Sequence, residues 1–276
     1  MIDTLERGRA FREMHRQDGA FVIPNPWDAG SATLLASLGF RALATTSFGF
    51  ATSLGRRDGE AGREAVIAHG ALLAAATDLP VSADLENGFG HAPEDVAETI
   101  RRAGAAGLVG GSIEDFTGDA NNPLYSIEHA ADRIRAAVEA ARSLGFPFVL
   151  TARAENFFRG RPELGDAVRR LQAYQQAGAD VLFAPSLQTR DQIATLVREV
   201  DRPVNVLIGK NLGLSVHELS ALGVRRISLG GMLSAVAYGA LLHAAREILA
   251  AGTFGFAAEL DRAKDLRALI DAKRSG

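Results

Sequence analysis

The chain has no cysteine, which excludes disulfides, thiolate metal sites and a cysteine nucleophile or acid/base. Lysine is scarce as well, standing only at positions 210, 264 and 273, so arginine carries most of the positive charge. Acids and bases almost balance, with 33 Asp and Glu against 30 Lys and Arg. The formal net charge of -3 gives no electrostatic reason to expect nucleic acid or an anionic membrane as partner. No apolar run reaches the length of a membrane span, and the opening MIDTLERGRAFREMHRQDG is a charged amphipathic helix pattern rather than a basic region followed by an apolar one. A cytoplasmic location is the expectation. A glycine-rich phosphate turn is missing from FVIPNPWDAG, and no nucleophile-elbow sequence occurs anywhere. His69, His91, His129 and His217 are scattered over helical and loop patterns and read as surface or helix histidines.

What is present is a regular alternation. Eight short apolar stretches, 21–25, 41–47, 80–86, 107–115, 146–155, 180–185, 202–209 and 225–231, are separated by longer segments with apolar residues at i, i+3 and i+4. Many of those segments open on Asp, Ser, Thr or Pro and close on Gly, as helices do. Near-continuous apolar strands between helices predict a parallel sheet covered on both faces, and eight units predict a closed (β/α)8 TIM-type barrel. At 276 residues without a low-complexity linker, one domain over 1–276 with terminal helices is the simplest reading. After the eighth strand, 232–252 predicts a long Ala- and Leu-rich helix, apolar around much of its circumference, for an oligomer interface or a domain core. A polar helix is expected over 257–276.

The C-terminal strand ends of such a barrel collect reactive side chains, and here they are acidic. Asp84 and Glu86, two apart at the end of the third strand, should face one side; Glu114 and Asp115 end the fourth, and Arg153 and Glu155 the fifth. Carboxylates gathered on one face repel, and a divalent cation removes that cost. Oxygen donors without Cys or nearby His suit Mg²⁺ or Mn²⁺. Pairing with Arg153 or helix capping is the competing explanation. A second polar cluster, 44–60, offers hydroxyls and backbone N–H groups for an anion or a developing oxyanion, with Asp58 behind them; a loop capping the next helix explains it equally well. Trp27, after the first strand, either walls the pocket or packs on a neighbouring loop.

The ordered set IPNPWDAGSA, TTSFGFATSLGRRDGE, SADLENGFG, GGSIED, LTARAE, RPVNVLIG and GVRRISLGG resembles the isocitrate lyase and phosphoenolpyruvate mutase superfamily over most of the chain. The resemblance implies a (β/α) barrel whose helix after the last strand is swapped between subunits, hence a homodimer or homotetramer. It implies Mg²⁺ held, largely through water, by Asp84, Glu86 and Glu114, with Asp58 supporting that shell. It also implies that Thr46, Ser47 and Phe48 hold the substrate's carboxylate or oxo oxygen, that Arg153 contacts the substrate, and that Asn205 lines the pocket.

In the lyases of isocitrate and methylisocitrate, the segment after the fourth strand carries a lysine and a cysteine as a lid. Here FTGDANNPLYS, 116–126, has neither, which argues against those two activities; Thr117, Asn121 and Asn122 are the lid residues to consider. A reaction without a lid acid fits better. The expected function is therefore a Mg²⁺-dependent C–C lyase or decarboxylase acting on a small 2-oxo or 2-hydroxy dicarboxylate through a metal-stabilised enolate. Retro-aldol cleavage of a malate derivative would use another base, such as Glu155 or Tyr125. Two alternatives stand beside it. One is phosphoenolpyruvate mutase or phosphonopyruvate hydrolase chemistry; the other is a protein that binds oxaloacetate or 2-oxoglutarate with little turnover.

Overall fold

Each of the eight apolar stretches contains a strand, and each intervening segment a helix. The computed structural model describes residues 3–209 and 212–272. In chain order the elements are α1 Thr4–Met14, β1 Phe21–Ile23, α2 Ala29–Ser37, β2 Leu43–Ala44, α3 Ser47–Ser53, α4 Arg63–Ala76, β3 Val81–Asp84, α5 Pro93–Ala105, β4 Gly110–Glu114, α6 Ile127–Arg142, β5 Val149–Arg153, α7 Leu164–Gln176, β6 Val181–Phe183, α8 Arg190–Glu199, β7 Val204–Leu207, α9 Val216–Ala221, β8 Arg226–Ser228 and α10 Met232–Ala251. A 3-10 helix, Gly255–Ala263, and α11, Leu266–Ala272, follow. The expected polar terminal helix is thus two shorter pieces, and its last four positions, 273–276, lie outside the described residues.

Side-chain caps set the helix starts where the sequence suggested. Asp28, Ser126, Thr189 and Ser215 each accept the N–H of the third helical residue. One helix was not legible: α3 occupies the stretch read as a loop, because the Thr46 hydroxyl accepts the Gly49 N–H and nucleates a short turn of helix.

All strands are parallel, in the order β1-β8-β7-β6-β5-β4-β3-β2. The remaining seam, between β1 and β2, is bridged by the Ala44 N–H donating to the Pro24 carbonyl at 3.0 Å. Asn25 reinforces it. Its amide donates to the Thr45 carbonyl, while its Oδ1 accepts from the N–H groups of Leu229 and Gly230, all at 2.9 Å. One buried side chain therefore ties the ends of β1, β2 and β8 and leaves none of its polar atoms idle.

A large apolar layer lies between strands and helices. The barrel's N-terminal end is closed separately by Phe11 and Met14 of α1, which pack with Ile23, Val109, Val149 and Val181. Close docking of α1 depends on Gly8, where a Cβ would fall 2.3 Å from the Pro147 carbonyl oxygen. Inside this plug, His15 is edge-on to Phe11 and Phe21, and burial and the neighbouring Arg226 push its pKa down to about 3. His15 is then neutral in the folded protein at pH values where the unfolded chain protonates it, so it withdraws stability progressively as pH falls from about 6.5 towards 3. His15→Gln should reduce the stability lost between pH 7.5 and pH 5 by about 2 kcal/mol, read by urea denaturation at the two pH values. An unchanged loss would show that His15 is protonated inside the fold. No helix among the described residues is long and apolar enough to cross a membrane.

Candidate active site

The C-terminal ends of the strands open into a cavity of about 630 Å³. Thr46, Ser47, Phe48, Asp58, Asp84, Glu86, Glu114, Arg153 and Asn205 all line it. Its centre is Arg153. Its guanidinium reaches Asp84 at 2.9 Å, Glu114 at 3.1 Å and Glu155 at 2.8 Å, so the last residue of β5 joins the last residues of β3 and β4. Burial opposes the charge on Arg153, but Glu155, Glu114 and Asp84 outweigh it and lift its pKa further. The predicted pairing of these acids with Arg153 is therefore present.

Asp84 and Glu86 reach the cavity by a route other than strand alternation. β3 ends at Asp84, and Glu86 has a φ of 50°, a left-handed conformation that a residue with a Cβ adopts only when its surroundings impose it. Those surroundings are visible. Arg133, 1% exposed, donates to the carbonyls of Asn87, Gly90 and His91 and fixes the turn that follows. The Glu86 N–H donates back to Asp84 Oδ1 at 3.3 Å.

Charge in the cavity is unbalanced. Among the described residues, Asp58, Asp84, Glu86, Glu114 and Glu155 gather around two arginines, Arg153 and Arg159, while the third arginine of the cavity, Arg226, makes no ion pair with any of them. Burial, then Asp84 and Asp58, pushes Glu86 up to about 7, and its Oε1 is buried without a hydrogen-bond partner. Burial, then Glu155, holds Glu114 well above the usual carboxylate range. Partial burial raises Asp58 against a hydrogen bond from Ser47. Among the described residues, no three of His, Asp and Glu stand close enough to grip an ion directly. An acid surplus with one orphaned oxygen instead suits a hard cation bound by one or two carboxylates and several waters, the habit of Mg²⁺.

Several expected residues lie off the wall. Glu155 is fully buried behind Arg153 and Arg159 and is not part of the lining. Asp115 turns away altogether: its carboxylate accepts from the Glu155 N–H, the Tyr174 hydroxyl and Arg170, anchoring α7 to β4. In the segment after β4, only Phe116 and Gly118 line the cavity. Thr117 donates to the Asn122 carbonyl and accepts from the Asp119 N–H, and the Asn121 N–H donates to Asp119, so these side chains and amides stabilise the loop itself. Tyr125 bonds His91, stacks near Arg133 and has its pKa raised by burial, which suits a base poorly. Trp27 packs towards Tyr238 and gives its carbonyl to His69, which is buried in α4 and stacked on Phe50.

Sequence reasoning missed Arg159, Phe158 and Arg226. Arg159 lies over the Phe116 ring at 3.5 Å while pairing with Glu114 and Glu155. Nothing in the loop sequence NFFRGR distinguishes it from a solvated arginine. Arg226 had a signal: it is a charge at a strand position that alternation with Ser228 turns inward.

The family model described as phosphoenolpyruvate phosphomutase matches residues 11–249. The crystal structure of a putative lyase/mutase from Burkholderia cenocepacia J2315 superposes with a TM-score of 0.89 at 56% identity, covering 92% of this chain and 91% of that one. Oxaloacetate acetylhydrolase in complex with the product oxalate gives 0.83 at 27% identity, covering 92% and 90%. 2,3-Dimethylmalate lyase, a PEP mutase/isocitrate lyase superfamily member, gives 0.82 at 27%, again covering 92% and 90%. With its barrel, its acid-lined strand ends and a match over most of its length, the chain belongs to the phosphoenolpyruvate phosphomutase family and is an enzyme of the PEP mutase/isocitrate lyase superfamily.

Proposed function

We propose that this enzyme is a Mg²⁺- or Mn²⁺-dependent C–C lyase or decarboxylase acting on a small 2-oxo or 2-hydroxy dicarboxylate. The observation that carries the reading is the acid surplus around Arg153 at the ends of β3, β4 and β5, with the buried Glu86 Oε1 unpartnered. Asp84, Glu86 and Glu114 would hold the cation, chiefly through water, with Asp58 supporting that shell. When bound, it supplies a Lewis acid for the substrate's oxo or hydroxy oxygen and the adjoining carboxylate.

The chain's own groups do the rest. The N–H groups of Ser47 and Phe48 lie in the first turn of α3, where no helical acceptor is available, and serve the substrate carboxylate beside the Thr46 hydroxyl. Arg153 faces the oxygen on which negative charge grows as the bond next to the carbonyl breaks. Because its own charge is already shared with three acids, it responds to a change in charge rather than binding the ground state tightly. Phe48, Phe116 and Phe158 give the mouth an apolar rim that limits water. Carbon dioxide leaves without a proton, so decarboxylation of oxaloacetate requires no lid acid; water protonates the enolate. The relatives that act on oxaloacetate and dimethylmalate support this reading. P–C chemistry is the second reading, favoured by the description of the matching family.

An NMR-monitored incubation of the metal-loaded protein with oxaloacetate, 2-methylisocitrate, dimethylmalate and phosphonopyruvate tests both. Pyruvate from oxaloacetate above the metal-only background, or two fragments from a malate derivative, is expected. EDTA should return the rate to background and Mg²⁺ should restore it. Phosphate or phosphoenolpyruvate from phosphonopyruvate would move the assignment to P–C chemistry, and product formation that survives EDTA would overturn the metal.

The same reading makes the enzyme a homodimer or homotetramer that exchanges α10. Only Ser234 of that helix is buried, while Val236 and Leu249 are 71% and 88% exposed. Light scattering should give a multiple of the 29.2 kDa chain mass, and Val236→Glu with Leu249→Glu should shift it to the monomer. A wild-type monomer would overturn the exchange.

A further inference from the structure

Arg226 differs in kind from the other two arginines of the cavity. Arg153 and Arg159 are both bound to acids, whereas Arg226 has no carboxylate partner among the described residues. It is only 5% exposed, at the first residue of β8, and it forms the floor of the cavity together with Asn205. Its Nε donates to Asn205 Oδ1 at 2.9 Å and its Nη2 to Thr151 Oγ1 at 2.9 Å; Nη1 lies 3.4 Å from His15 Nε2. A guanidinium carries five N–H groups, so these contacts leave one unspent on each terminal nitrogen. Burial alone draws the Arg226 pKa down to about 9, which keeps it cationic at neutral pH, and His15 is neutral there.

A buried, unpaired cation is costly, and an apolar residue would fill a purely structural position at lower cost. The cavity is thus polarised along the barrel axis, with acids at the mouth and one uncompensated positive charge beneath. Thr151 lies two residues below Arg153 on β5, which sets the two levels roughly 7 Å apart. An acid bound at the mouth by one end would direct a second anionic end towards that charge.

We propose that the cavity floor is an anion subsite in which Arg226, oriented by Asn205 and Thr151, binds the substrate carboxylate remote from the reacting end. The subsite selects dianionic acids over monoanionic ones of the same length. This inference rests on the reading of the site as one for 2-oxo or 2-hydroxy acids.

Calorimetric titration of the Mg²⁺-loaded enzyme with (S)-malate and (S)-2-hydroxybutyrate tests it. The two share four carbons and differ by a carboxylate in place of a methyl group. Wild type should bind malate roughly 10- to 100-fold more tightly, the range expected of a charge-assisted hydrogen bond. Arg226→Gln should bring the ratio to within about threefold while leaving 2-hydroxybutyrate unaffected, and Arg226→Lys should fall between. Equal wild-type affinities, a preference that survives in Arg226→Gln, or equal weakening of both acids would each overturn the subsite and leave the 2-hydroxy acid reading intact. Binding of neither acid by wild type would overturn both. Should the variants fail to fold, a wild-type crystal grown with malate decides: a carboxylate on the Arg226 guanidinium supports the subsite, and a malate whose second carboxylate lies elsewhere refutes it.

Discussion

Asp84→Ala should abolish turnover, lowering kcat at least about 10²- to 10³-fold, the scale of removing one electrostatic partner from a reacting centre. Asp84 closes the end of β3, and its Oδ1 takes the Arg153 guanidinium at 2.9 Å and the Glu86 N–H at 3.3 Å. Its loss therefore removes a proposed cation donor and also frees both the Arg153 fork and the turn that aims Glu86. Folding should survive, because Glu114 and Glu155 still neutralise Arg153. Steady-state rates beside near-native circular dichroism and urea midpoints would establish this. Wild-type rates in Asp84→Ala would remove this carboxylate from the mechanism.

Arg153→Met should cost activity and stability together. Arg153 stands between three acids, two of which, Glu114 and Glu155, are buried. Removing one member of a buried ion pair typically costs 3–5 kcal/mol, because the charge left behind has neither water nor partner. Arg159 still reaches both glutamates, at 3.4 and 3.3 Å, which places the expected loss towards the lower end, about 3 kcal/mol. The deficit has a sign in pH. Glu114 and Glu155, already displaced upward by burial, take up protons more readily without Arg153, so the gap from wild type should narrow as pH falls from 8 to 5. Urea denaturation at the two pH values measures it. A deficit that widens on acidification would mean that the two glutamates remain charged without their arginine. Arg153→Lys should recover part of the stability and little of the rate, since one ammonium cannot serve three carboxylates in a fixed fork.

The two substitutions also separate what could be read along the chain from what could not. Asp84, Glu86, Glu114 and Arg153 stood out because strand ends in a parallel barrel share one rim, so acids at successive strand ends must meet whatever the loops do. Glu155 satisfied the same pattern and yet lies behind the wall, where Arg153 and Arg159 hold its carboxylate and its N–H donates to Asp115. Asp115 differs from Glu114 by one position and serves α7 instead of the cavity. Alternation predicts which side a residue takes within a strand and loses its force past the end, where Glu86, two residues beyond β3, enters a left-handed turn.

The sequence by itself determined the eightfold alternation of strands and helices, the parallel pairing, the helix caps and the rim on which the acids collect. These are local or periodic properties, carried by segments of a few residues whose apolar pattern tolerates one arrangement. Only the tertiary structure decided which charges are neutralised. The cluster of Arg153 with three acids, the escape of Asp115 to Arg170 and the isolation of Arg226 on the cavity floor depend on distances between residues from Asp84 to Arg226 along the chain. Electrostatic partnership varies over a few ångströms, and no spacing along one strand fixes a distance across the barrel.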